Sequence, residues 1–187
     1  TMGLQLARES ILQDKHVFWI SNTMPDTTRF SQIFESVPYA SSSKFHVSEG
    51  GDKLEFAIIS ANNVISVMNN VAIVVVDDWA PRSGKVSKLV VEEVRKLSGT
   101  CKNQDVSLLL ISSAYESVDG VNSTSNPNEK GWRFRIRGDK QTKDFVDRVW
   151  WLNLVTDNTF RDLWMENQKM QLKLNNTGFI RNNNIEN

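Results

Sequence analysis

Cysteine is nearly absent from this chain of 187 residues: Cys101 stands alone, so no internal disulfide can form. Histidine is almost as scarce, with only His16 and His46. From so few soft ligands no common zinc spacing can be assembled, and neither a Ser-His-Asp nor a Cys-His arrangement has local support. Both histidines lie beside apolar residues at strand-like positions and read as structural or surface side chains. Net charge is missing too, because 22 Lys and Arg are matched by 22 Asp and Glu. That balance excludes blanket attraction to a polyanion, so any nucleic-acid contact must be local. No apolar run approaches the roughly 18 residues of a membrane-spanning helix, and the opening residues lack the basic start and apolar stretch of a signal peptide. These absences read as a cytoplasmic protein with no membrane partner.

What is present is ordinary soluble-domain composition, 40% apolar and 24% charged. A chain of this length buries roughly 70% of its unfolded surface, so a core needs neither disulfides nor metal. Gly3, Leu6, Ala7, Ser10 and Ile11 recur at helical spacing. His16 to Ile20 then reads as a buried strand. Pro25-Asp26 breaks the chain and offers an N-cap to a helix with Phe30, Ile33, Phe34 and Val37 on one face. Lys44 to Val47 is a short strand, and Gly50-Gly51 leads into Asp52-Lys53-Leu54-Glu55, a capping-box-like helix start. Val71 to Val76 is a β-branched run without alternation, as expected of a parallel strand covered on both faces. It ends in Asp77-Asp78. Val86, Leu89, Val90, Val94 and Leu97 mark the next helix face, with Gly99 as its stop, and Val106 to Ile111 is a second buried strand.

After Tyr115 the grammar changes. Glu116 to Gly131 is rich in Ser, Asn, Asp and Gly and reads as a long loop. Trp132, Phe134 and Ile136 alternate with Arg133, Arg135 and Arg137. Val149 to Val155 is another apolar run, and Met170, Leu172 and Leu174 alternate with Lys169, Gln171 and Lys173. The expectation is an α/β domain over residues 1–180, with a mostly parallel sheet flanked by helices and antiparallel strands at its C-terminal edge. Residues 181–187 form a polar tail expected to be frayed.

In this order the elements resemble the RecA superfamily, especially the short archaeal RadB and RadA recombinases and the KaiC-type ATPases. Thr1-Met2-Gly3-Leu4-Gln5-Leu6-Ala7 is similar to the helix that follows the phosphate-binding loop in those proteins. Val17 to Thr23 resembles the next strand, Val71 to Asp78 the Walker B strand with its acid, and Val106 to Tyr115 the sensor strand. The Lys143 to Leu154 and Leu163 to Ile180 segments resemble the last strands. The resemblance implies a RecA-like fold of the P-loop NTPase type with possible ATP and Mg²⁺ as ligands, near Thr1, Asp77, Asp78 and Ser113, with Asp77 orienting the metal through water. An alternative role for Asp77-Asp78 is simply to cap the turn into Trp79.

The departures from the pattern bear on activity. The family's Gly-Lys-Thr triplet, whose backbone N–H groups and Lys surround phosphate, would directly precede Thr1 and is not in the sequence. A preceding strand and loop would be needed to complete the sheet in the family manner. Thr23 stands where active recombinases carry the glutamate that polarises the attacking water. Ile111-Ser112-Ser113 stands where the family has Thr-Asn-Gln. The resemblance with these departures implies weak or absent hydrolysis and no catalytic residue.

The family binds DNA through loops after the Walker B and sensor strands. Here these hold Trp79, Arg82, Lys85 and Lys88, then Lys130, with Arg133 at the start of the arginine stripe. The stripe reads equally as a solvated strand face. The expectation is an accessory or regulatory role in DNA recombination or repair, with DNA, a second copy or a RecA-family protein as partner. Two alternatives stand beside it: a working KaiC- or RadB-type ATPase whose phosphate loop lies upstream of Thr1, and a non-catalytic scaffold, or pseudo-ATPase, for a partner ATPase.

Overall fold

The computed structural model describes residues 2–22, 26–51, 53–80, 86–116, 134–136, 145–154, 160–165, 168–175 and 178–181. Helix α1 (Met2–Leu12) leads into strand β1 (His16–Ser21), followed by α2 (Thr27–Phe34), the short α3 (Tyr39–Ser42) and β2 (Phe45–Glu49). Next come α4 (Leu54–Ile65), β3 (Val71–Asp77), α5 (Lys88–Asn103) and β4 (Ser107–Leu110). These four strands form one parallel sheet in the order β2-β1-β3-β4.

Helices cover both faces of this sheet, and the strands divide their side chains between them with period two. Phe18 and Ile20 of β1 join Val74 and Val76 of β3 in the cluster under α4 and α5. Val17 and Trp19 join Ile73 and Val75 in the cluster under α1 and α2. Both faces are buried, which is why Val71 to Val76 shows no polar alternation in sequence.

The helices follow local signals with three departures. Asp26 caps α2, its carboxylate accepting from Arg29 N at 2.7 Å. On α1 the buried residues are Gly3, Leu4, Ala7 and Ile11; Leu6 instead lies on the outer side, where its carbonyl accepts from Ser10 Oγ. The cap of α4 is Lys53, with no side-chain hydrogen bond, in place of the expected capping box; Asp52 lies outside the described residues. Gly99 does not stop α5, which runs on to Asn103. The buried stripe of Val90, Val94, Leu97, Ser98 and Cys101 continues past the glycine and holds the last turn to the sheet.

Beyond β4 the strands are antiparallel. β5 (Ala114–Glu116) pairs with β6 (Phe134–Ile136), so Glu116 belongs to a strand and not to the expected loop. β7 (Trp150–Leu154), β8 (Phe160–Met165), β9 (Gln168–Asn175) and β10 (Gly178–Arg181) form a four-stranded sheet in the order β10-β9-β8-β7. Among the described residues this sheet is separate from the parallel one, whereas the sequence placed these strands at its edge. Arg181 is the end of β10, one residue into the expected tail. Leu163, Leu172 and Phe179 form its own small core, against which Met2 of α1 packs.

Candidate nucleotide site at the strand ends

In an open parallel sheet the crevice lies at the C-terminal ends of two adjacent strands whose connections leave in opposite directions. From β1 the chain runs outward to β2; from β3 it runs the other way, to β4. The crevice is therefore at the ends of β1 and β3, where Ser21 and Asp77 stand opposite each other in register. Sequence reasoning singled out Asp77 but missed Ser21, because the partnership appears only once the two strands pair.

Asp77 is half-buried, and desolvation raises its carboxyl above the ordinary carboxylate value of 3.8, the neighbouring charge of Asp78 adding to the shift. Asp78 turns the chain in the left-handed region, φ 50°, a conformation Asp tolerates better than most residues. The turn carries Trp79 and Ala80 into the core under α4 and α5. Trp79, expected to offer a stacking surface to DNA, is instead 3% exposed, so its ring is core.

Two backbone hydrogen bonds bring the segment after β4 to the same place. Ile111 N donates to Val76 O at 2.9 Å, and Trp79 N donates to Ile111 O at 3.3 Å. Ser112 and Ser113 follow directly. Ser112 Oγ donates to Ser113 O at 3.3 Å, while Ser113 Oγ is buried with no hydrogen-bond partner among the described residues. A buried hydroxyl without a partner costs about 1–3 kcal/mol, a deficit that a ligand oxygen could relieve.

The start of α1 abuts the same region. A Cβ on Gly3 would stand 3.0 Å from Ile111 Cδ1 and 3.2 Å from the Trp19 ring. Only a residue without a side chain lets the helix approach so closely, so Gly3 fixes the first turn of α1 beside the ends of β1 and β4. An acid, an orphan hydroxyl and a helix start thus share one end of the sheet. Such a set suits Mg²⁺ held by one carboxylate together with phosphate oxygens, the usual mode for that ion. No group of three or more His, Cys, Asp or Glu side chains that could hold a metal by itself occurs among the described residues.

Of the remaining expected site residues, Lys88 is exposed at the first position of α5, whose N-cap Ser87 accepts from Leu89 N. It lines a shallow hollow with Val91, Glu92, Arg95 and Lys96. Thr1, Thr23, Arg82, Lys85, Lys130 and Arg133 lie outside the described residues. Among the described residues no helix is long and apolar enough to cross a membrane.

No protein-family model matches the chain, and no curated protein matches it. Among solved structures it is similar to one described as the crystal structure of the RadB recombinase, with a TM-score of 0.64 at 16% identity over 94% of this chain and 83% of the other. The fold is RecA-like.

Proposed function

We propose that this chain is a RecA-like protein of DNA recombination or repair with an accessory or regulatory role, one that binds Mg²⁺-nucleotide at the strand ends and hydrolyses it slowly or not at all. The observation that carries the reading is the placement of Asp77, at the switch point between β1 and β3 and beside the orphan Ser113 hydroxyl, in a fold shared with a RadB recombinase. Slow hydrolysis follows from β1. Its end, Ser21-Asn22, supplies no carboxylate beside Asp77 to take a proton from water. Nucleotide would then act by shifting the segments after Asp77 and Ser113 between conformations of different affinity for DNA. Arg82, Lys85 and Lys88 are the residues proposed to meet phosphates.

The test is equilibrium binding of a fluorescent ATP analogue with and without Mg²⁺, alongside turnover and DNA binding at several salt concentrations. The expected result is Mg²⁺-dependent binding weakened at least tenfold in Asp77→Asn, turnover near background, and DNA affinity that falls with salt and in Arg82→Ala/Lys85→Ala. Absence of nucleotide binding would remove the ligand role of Asp77. Unchanged DNA binding in the double variant would remove the loop assignment.

A second reading, a working ATPase with a phosphate loop preceding α1, has one observation in its favour. Among the described residues β4 pairs only with β3, so its outer edge has room for a further strand, and the first turn of α1 stands beside it. Rapid Mg²⁺-dependent turnover in the natural protein would favour this reading over the first.

A further inference from the structure

We propose that His16 and His46 form an acid-sensitive latch, one that holds strand β2 to β1 while at least one imidazole is neutral and loosens it when both carry a proton. Among the described residues β2 is an edge strand and pairs only with β1. Parallel pairing sets Phe18 against His46, and His16, two residues earlier on β1, shares their face. His16 Nδ1 and His46 Nε2 are 2.9 Å apart and the ring centroids 5.1 Å, so the two nitrogens lie between the rings and point at each other. This head-on hydrogen bond joins the two strands through their side chains.

Such a bond depends on the number of protons the pair holds. A ring nitrogen accepts only while it is unprotonated, so the neutral pair makes the bond, and so does the pair with one extra proton. A second extra proton leaves two N–H groups face to face, with the bond lost and two positive charges in its place. The surroundings keep the rings aligned: His46 stacks on Phe18 at 4.7 Å between centroids, and Phe18 is buried in the core. Both histidines are partly exposed, so protons reach them from solvent. The strand that loosens is the one whose Glu49 pairs with Ser21 at the crevice.

The charged groups about the pair leave this balance in place. Asp14 and Lys44, just before the two strands, are ion-paired with each other, and Lys44 holds the Asp14 carboxylate below its usual range. Lys15 is exposed to solvent. On α4, packed against the same face, Lys53 and Glu55 stand at the helix start, next to the Gly50 turn; Glu49 and Asp77 close β2 and β3. These four lie toward the C-terminal ends of the strands, away from the pair. Burial, and then the charge of His16, lowers the His46 pKa from 6.5, so the fold resists a proton that the unfolded chain accepts. As pH falls below 6.5 the unfolded chain binds more protons, and the unfolding equilibrium constant rises by up to about tenfold per pH unit.

The test is amide exchange at pH 7.5 and pH 5.0, corrected for intrinsic rates, in the unaltered chain and in His46→Gln, whose side-chain amide does not titrate. The expected result is protection in β2 that falls at least tenfold relative to β3 on acidification, with no such fall in His46→Gln. Asp77 acts in the opposite sense, since its raised carboxyl favours the fold as pH drops, but it is common to both proteins and leaves their difference unchanged. Protection in β2 that holds at pH 5.0, or an equal fall in the variant, would overturn the latch. Should the variant fail to fold, imidazole NMR of the unaltered chain decides: one ring taking its proton well below pH 6.5, together with faster exchange in β2, supports the latch, and two rings titrating independently near the ordinary 6.5 overturn it.

Discussion

At the scale of single residues, the ligand role proposed for Asp77 is set against a cost in stability. Its carboxyl is raised by desolvation, so the folded state holds that proton at pH values where the unfolded chain has released it. The ordinary value is 3.8; as pH climbs from there through the folded value, the native state loses stability relative to the unfolded one, and at neutral pH the cost is fully present. Asp77→Asn removes that cost. Its thermal midpoint is expected above that of the unaltered chain at pH 7, with the difference shrinking toward pH 4, in the same variant whose Mg²⁺-nucleotide binding is expected to fail. A midpoint equal or lower at pH 7 would mean that the carboxylate makes a favourable interaction in the fold. Burial moves Cys101 in the same direction: its thiol is pushed up to about 12, which leaves it inert as a nucleophile. Asp77 could be picked out in sequence because an acid ending an apolar run is conspicuous. Ser21 has no such local mark, since it gains meaning only from its pairing with Asp77 on β3, and Ser113 was marked only by the resemblance to the sensor strand.

At the scale of elements, two glycines on helices are expected to answer oppositely to the same change. Gly99 lies inside α5 with open space where a Cβ would go, so Gly99→Ala is expected to stabilise by about 0.5–1 kcal/mol through the entropy of the unfolded chain. Gly3 faces the Ile111 and Trp19 side chains at 3.0–3.3 Å, so Gly3→Ala makes these packed groups give by a few tenths of an ångström and is expected to cost about 1–3 kcal/mol. Urea denaturation of both variants reads the two signs directly. Equal effects would mean that α1 is not seated as described. The contrast marks what sequence could say about elements. The apolar runs of β1 and β3 and the Asp26 cap were legible because each is a local pattern, periodic or positional. Gly99 was misread as a stop because a glycine's role depends on whether buried residues such as Cys101 follow it on the same stripe. One member of the α1 face differs, Leu4 in place of Leu6, because the two satisfy the helical period about equally well until the sheet chooses between them.

At the scale of the whole molecule, the parallel sheet and the antiparallel one share no strand pairing among the described residues, and side chains connect them instead. Phe145, leading toward β7, is buried in the core under α5, where Ser98 Oγ donates to its carbonyl at 3.4 Å. On α1 the Gln5 amide works like a short piece of strand against β10. Its Nε2 donates to Phe179 O and its Oε1 accepts from Phe179 N, both at 2.8 Å. Met2 adds an apolar contact to the core of the antiparallel sheet beside it. Gln5→Ala would leave both backbone groups of Phe179 to find other partners, at a cost of about 1–3 kcal/mol. The informative quantity is where that cost falls. If the two sheets open as separate cooperative units, amide exchange should quicken in β9 and β10 while β1 and β3 keep their protection. Since α1 also seats Gly3 beside the ends of β1 and β4, the coupling has a functional side: opening of the antiparallel sheet would reach the proposed nucleotide site through α1. Uniform loss of protection across β1, β3, β9 and β10 would instead mean that the molecule unfolds as one unit, and that Gln5 holds together a single core.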